Sequence, residues 1–212
     1  LSTRIGIISD IHGDFVALEE ALAVLDHQAV NAIICAGDLV HMFQAMPYAT
    51  AVIELLQERQ IPCVMGNHDS QVLIDFFKLR ESDPVTVDAA ATLTPESAAF
   101  LKSLPLSQQF DFEGKTVLMR HGMKWWLYPH TSSTAFWQIQ RLAETDAVVL
   151  GHTHEPMNVR VGRTQIVNPG SVCGTLYRGS RSCGVLALPE NDFVVYSLDG
   201  GRALEIPLRT IE

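Results

Sequence analysis

Residues 4–13 read Arg-Ile-Gly-Ile-Ile-Ser-Asp-Ile-His-Gly. A short β-branched run, Arg4–Ser9, stops abruptly in residues able to hold a metal. Four further stretches repeat the arrangement. Ile33–Ala36 leads into Gly37-Asp38, and Cys63–Met65 into Gly66-Asn67-His68-Asp69. Val117–Met119 leads into Arg120-His121-Gly122, and Val148–Leu150 into Gly151-His152-Thr153-His154. Apolar runs of this length predict buried strands. Open α/β sheets bind ligands outside the carboxyl ends of their strands. Five strand ends delivering Asp, His and Asn to one edge suit a buried metal site, because such groups are costly to bury without partners.

The intervening sequence supplies helices. Asp14–His27 carries Phe15, Leu18, Leu22 and Leu25 at helical spacing, and Pro47–Gln60 places Pro47 in a first turn. Gln71–Leu79 and Ser132–Glu144 read as helices. Thr94-Pro95-Glu96 reads as a capped start running to about Leu104. Strands are expected at Ala32–Ala36, Pro62–Met65, Lys115–Met119 and Ala147–Leu150. Beyond these, Val159–Val161, Thr164–Val167, Gly184–Leu188, Phe193–Leu198 and Ala203–Pro207 are separated by turn signals such as Gly162-Arg163 and Gly200-Gly201. A βα first half and a β-rich second half predict an α/β fold of two packed sheets with helices outside. With no repeat or linker, residues 1–212 are expected to form a single domain.

The composition narrows the function. The 212 residues include 24 Asp+Glu and 15 Lys+Arg, a net charge of −9, and 47% hydrophobic residues. That is a folded globular chain, and its acidity argues against a long nucleic acid as partner. No apolar run approaches the roughly 18 residues of a membrane helix, and no signal-peptide pattern is present, so no membrane partner is expected. The four cysteines show no CxxC or zinc-like spacing, which fits a reducing, cytoplasmic location.

The candidate ligands are Asp10, His12, Asp38, Asn67, His121, His152 and His154. Carboxylate, imidazole and amide oxygen without thiolate suit manganese, iron or zinc. Seven are too many for one tetrahedral ion and fit two ions sharing a carboxylate. Asp10-x-His12 and His152-x-His154 have the alternation of a strand, which predicts that each pair points one way. Gly37, Gly66, Gly122 and Gly151 allow the backbone to turn sharply and approach closely.

Taken in order, Asp10-x-His12, Gly37-Asp38, Gly66-Asn67-His68-Asp69, His121-Gly122 and Gly151-His152-Thr153-His154 resemble the calcineurin-like metallophosphoesterases. Asp10-Ile11-His12-Gly13 with the following Ala17-Leu18 helix, and Asn168-Pro169-Gly170-Ser171-Val172, resemble their compact prokaryotic phosphodiesterase branch. The resemblance runs from about Arg4 to Leu188. It implies two mixed β-sheets packed as a sandwich in a four-layer αββα fold. It implies two divalent ions, manganese favoured, with Asp10, His12 and His154 on the first, Asn67, His121 and His152 on the second, and Asp38 bridging.

The resemblance also implies a reaction. A hydroxide bridging two ions about 3.5–4 Å apart attacks a small phosphodiester, possibly nucleotide-like, in line. His68 is catalytic and protonates the leaving oxygen, with Asp69 orienting its other nitrogen. Asn67, His68 and Arg178 are the expected substrate contacts. Phosphomonoesters are the alternative substrate. A protein phosphatase is disfavoured because Leu39-Val40 replaces the Arg-Gly of that group's Gly-Asp-Arg-Gly motif and Asp69 replaces its Glu. Some relatives with the fold have lost the site and serve as binding scaffolds, so a metal-binding interaction scaffold or a nucleotide sensor is carried as a further alternative. Homo-oligomerisation stays open.

Other polar and aromatic residues are less determined. His27 ends a helix, where a cation favours the dipole, and His130 reads as surface. His41 reads as cleft rim or surface. Trp125, Trp126 and Tyr128 form either an aromatic wall beside the substrate or simple loop packing. Arg181 shares the return loop of Arg178. Arg120 precedes His121 in an alternating strand and should point away from the metals.

Overall fold

A computed structural model describes residues 2–42, 48–81, 93–174 and 179–212, with side chains of 78–81 left aside. The chain begins with β1 (Thr3–Ile8), α1 (Phe15–His27) and β2 (Ala32–Cys35). Three helices follow: α2 (Ala49–Glu58), α3 (Asn67–Glu81) and α4 (Pro95–Ser103). Then come β3 (Ser107–Phe112), β4 (Lys115–Arg120), α5 (Ser133–Ala143), β5 (Ala147–Val149), β6 (Met157–Val161) and β7 (Thr164–Asn168). The chain closes with β8 (Ser182–Leu188), β9 (Asp192–Ser197), β10 (Ala203–Leu204) and β11 (Arg209–Ile211). Arg178 and Pro47 lie outside the described residues.

Two mixed sheets result. One has the order β10-β9-β8-β1-β2, the other β11-β6-β7-β5-β4-β3. β1 and β2 are parallel, with Ile7 opposite Ile34, and β4, β5 and β7 are parallel in the second sheet. Strand alternation sends successive side chains to opposite faces. Ile5, Ile7, Val117, Met119, Ala147 and Val149 therefore fill the space between the sheets. On the outer face of the first sheet, Ile8 meets Leu18, Leu25, Ile53, Leu56 and Leu101 from the helices. Gly6 faces the same way. A Cβ there would lie 3.0 Å from Leu25 Cδ1, so its absence lets α1 sit close. On the far side Val148, Val159 and Ile166 pack against Phe136 and Ile139 of α5. The layers are helix, sheet, sheet, helix, as expected.

Some local readings change. The expected strand Pro62–Met65 makes only a one-residue parallel bridge, Cys35 to Cys63. Pro62 offers a carbonyl, to Cys35 N–H at 2.9 Å, but as proline it has no donor to extend a ladder. α3 begins at Asn67 rather than Gln71, so the Gly-Asn-His-Asp motif is the helix's first turn. β3, β10 and β11 are short or polar edge strands. β3 and β11 were not expected, and β10 covers only the start of Ala203–Pro207.

Candidate metal centre

Because β1, β2, β4 and β5 run the same way within their sheets, their carboxyl ends bring the polar motifs to one edge. Six of the expected ligands fall into two groups whose ligand atoms lie within 4.8 Å of one another: Asp10, His12 and His154, and Asp38, His121 and His152. The groups adjoin, with His121 Nε2 4.0 Å from Asp10 Oδ1. Asn67 Oδ1 joins the second, 3.1 Å from His121 Nε2.

The strand-alternation argument for these residues does not hold. β1 ends at Ile8, and Asp10 and His12 sit in the left-handed region, at φ 55° and 51°. Asp38 (54°), His152 (71°) and His154 (58°) do the same. Left-handed backbone costs a non-glycine residue about 1–2 kcal/mol, so five ligands occupy unfavourable backbone in a shared geometry. Hydrogen bonds between the loops hold it. Asp10 N–H donates to Gly37 O (2.9 Å), His12 N–H to Asp38 O (3.0 Å) and Gly13 N–H to Leu39 O (2.8 Å). Two glycines are required by close approach. A Cβ on Gly66 would stand 2.0 Å from Asp38 Oδ1, and one on Gly151 1.9 Å from Ser9 Oγ.

Each carboxylate has one oxygen anchored by the protein. Asp10 Oδ2 accepts from Ser9 Oγ (2.6 Å) and His152 N–H (3.0 Å), and Asp38 Oδ1 from His68 N–H (2.9 Å). The other oxygens face imidazoles: Asp10 Oδ1 is 3.2 Å from His154 Nε2, and Asp38 Oδ2 is 3.1 Å from His121 Nε2. His121 Nδ1–H donates to Ala36 O at 2.8 Å, which turns Nε2 into the site.

The electrostatics match a cation site. Burial works against charge on His121, but Asp38 and then Asp10 outweigh it and lift its pKa to about 10. His154 is also raised: burial opposes it, and the hydrogen bond and charge of Asp10 prevail. Burial pushes His12 down to about 4, so it is neutral. Burial would raise both Asp10 and Asp38, yet the facing imidazoles hold both below the usual range. A proton on His121 Nε2 therefore sits among Asp38 Oδ2 and Asn67 Oδ1. His154 Nε2 faces Asp10 Oδ1 and, at 3.0 Å, His12 Nε2. In each group lone pairs converge on one centre, which in the second holds the His121 proton and which a divalent ion would take over. The buried His152 Nε2 and His12 Nδ1 have no hydrogen-bond partner. The donor set thus fits divalent metal.

Other expected roles sort unevenly. His68 lines a cleft of about 510 Å³ with Asn67, Asp38, Met42, Trp126, Tyr128, His152, Thr153 and His154. Asp69 is not its partner. Asp69 Oδ1 accepts from Leu39 N–H (2.8 Å) and Val40 N–H (3.1 Å), and Oδ2 from Gly66 N–H (2.9 Å). Asp69 is the first-turn acid of α3, and it fastens the Asp38 loop to that helix. His68 Nδ1 instead accepts from Met42 N–H at 3.2 Å, which places the neutral ring's proton on Nε2.

His41 was undervalued by the sequence. It is 2% exposed, its ring 4.8 Å from that of His68 and 5.4 Å from that of His12. Its ligand nitrogen groups with theirs. The available signal was its position three residues beyond Asp38, in the same loop. The aromatic trio divides: Trp126 and Tyr128 line the cleft, whereas Trp125 packs with the core around α5 under Arg120, whose guanidinium is 4.6 Å from its ring. Arg120 thus points away from the ligands.

A family profile describing the calcineurin-like phosphoesterase superfamily domain matches residues 3–191. An uncharacterized protein of Methanocaldococcus jannaschii is 27% identical, over 92% of this chain and 86% of its own. A phosphodiesterase of the same organism is 22% identical, over 90% and 96%. Among solved structures, a phosphoesterase from E. coli superposes with a TM-score of 0.62 at 23% identity, covering 96% of this chain and 97% of its own.

Proposed function

Since the chain belongs to the calcineurin-like phosphoesterase superfamily, we propose that it is a two-metal hydrolase of small phosphodiesters. The observation that carries this reading is the pair of adjoining ligand groups, six Asp and His side chains converging from the two sheets. Asp10, His12 and His154 would hold one ion. Asn67, His121 and His152 would hold the other, with Asp38 between them. Divalent ions, with manganese favoured, would supply Lewis-acid activation of the phosphate and of the attacking water.

The chain's own residues do the rest. Asn67 Nδ2, left over when Oδ1 faces the metal, can donate to a phosphate oxygen. His68 donates through Nε2–H to the leaving oxygen as charge builds there. Its Nδ1 is already committed to the Met42 amide, so the acid is a hydrogen-bonded neutral ring rather than the Asp69-supported imidazolium of the sequence reading. Arg178 remains a proposed phosphate contact.

Diesters are favoured over monoesters because no Lys or Arg among the described residues lines the cleft to pair with a dianion. Retention of every expected ligand favours catalysis over a scaffold or sensor role. The test is metal analysis of the purified protein, with hydrolysis of bis(p-nitrophenyl) phosphate and p-nitrophenyl phosphate under added Mn²⁺. About two ions per chain and faster turnover of the diester are expected. Faster turnover of the monoester would reverse the substrate assignment, and turnover of neither across several metals would remove the hydrolase reading.

A further inference from the structure

Burial does not account for the position of Trp126. It is 60% exposed, yet it stands at the mouth of the metal cleft. Its neighbours anchor the loop: Leu127 is buried, and Trp125 packs inward under Arg120. The loop backbone is also tied, Trp125 N–H to Gly122 O (2.7 Å) and Tyr128 N–H to Thr131 Oγ1 (2.8 Å). Trp126 itself is fixed twice. Its Nε1–H donates to Met123 O at 3.1 Å, and its ring lies perpendicular to the His152 imidazole, centroids 4.3 Å apart at 84°. A large indole held rigid with much of its surface in water is a pre-formed stacking surface, which avoids the ordering cost of binding.

Its side of the cleft matters. His152 belongs to the second ligand group, whereas His68 packs against His12 of the first, centroids 4.6 Å apart. A phosphate seated between the groups therefore presents one ester arm to His68 and the other to Trp126. We propose that Trp126 is a stacking platform for the ester arm that stays on phosphorus, and that this arm carries a planar aromatic group of nucleobase type. This rests on the phosphodiesterase reading above and names its substrate class. In the reaction, the water oxygen forms the new bond to phosphorus. The bond from phosphorus to the departing oxygen on the His68 side breaks, and that oxygen leaves with the electron pair. The product is the aromatic arm's monophosphate.

The test holds the leaving group constant. The p-nitrophenyl ester of thymidine monophosphate and methyl p-nitrophenyl phosphate release the same phenolate and differ only in the retained arm. Wild type, with Mn²⁺, is expected to favour the thymidine ester in kcat/KM by about tenfold, within the range of one stacked base. Trp126→Ala and Trp126→Leu are expected to erase that ratio, and Trp126→Phe to keep most of it, with metal content measured for each. A ratio near one in wild type, or one that survives in the Leu variant, overturns the platform. If wild type cleaves neither ester, the hydrolase reading fails separately, and calorimetry decides the platform. Thymidine monophosphate binding the Mn²⁺-loaded protein about tenfold tighter than methyl phosphate, with the difference lost in Trp126→Ala, supports it. Equal binding overturns it.

Discussion

The proton trapped between His121, Asp38 and Asn67 makes metal uptake a proton exchange. His121 must lose the proton that its neighbours hold up to a pKa of about 10; Asp10 shifts His154 in the same direction. At that value the His121 proton is present at neutral pH and competes with the metal, so affinity must climb as pH rises toward it. Titrating Mn²⁺ into metal-free protein in weak buffer near pH 7 is expected to release about one proton per ion bound. Affinity should be about tenfold higher at pH 8 than at pH 7 for each such proton. A flat affinity over that interval would assign the ligation to other atoms. The candidate ligands stand out in the sequence because each follows an apolar run. The ring partners do not. Nothing in Gly66-Asn67-His68-Asp69 tells that Asp69 turns to three amides and that Met42 serves His68, because those contacts depend on how the Asp38 loop lies against α3.

At the level of elements, reading succeeded where local and tertiary preferences agree. Thr94 caps α4, its Oγ1 accepting from Ser97 N–H at 3.1 Å, and β1, β2, β4 and β5 are buried β-branched runs. It failed for β3, whose Ser107-Gln108-Gln109 start conceals the alternation of an edge strand. It failed also at Pro62–Met65, where one bridge replaces a ladder. The junction between that segment and α3 is the sharpest test of local geometry. Gly66→Ala would drive a methyl into the anchored oxygen of Asp38. Displacing such a supporting contact typically costs 10- to 100-fold in metal affinity. The variant is therefore expected to keep its circular dichroism while losing metal by at least tenfold in calorimetric titration. Unchanged affinity would show that Asp38 is not held by this contact.

For the molecule as a whole, the ligands come from both layers of the sandwich. Asp10 and Asp38 follow strands of one sheet, and His121, His152 and His154 follow strands of the other. Bound ions would cross-link the two sheets. An ion at about a hundred times its dissociation constant adds about 2.7 kcal/mol of stability, or about 5–10 °C in Tm for a chain of this length. Chelation should lower the calorimetric Tm by that order, and return of Mn²⁺ should restore it. An unchanged Tm would place the ions outside the fold's energetics. The net charge of −9 acquires a different meaning beside such ions. Their positive charge exceeds that of the two carboxylates holding them, so the cleft can draw in a small anion while the surface turns away a long one. No helix among the described residues is long and apolar enough to cross a membrane.

The left-handed backbone at five of the candidate ligands sets their side chains against their main chain. Glycine would fit each of these backbones more comfortably, but it would supply neither the ligand atoms nor the carboxylates that accept from Ser9, His152 and His68. Asp10, His12, Asp38, His152 and His154 thus keep a costly backbone that only their side-chain contacts offset.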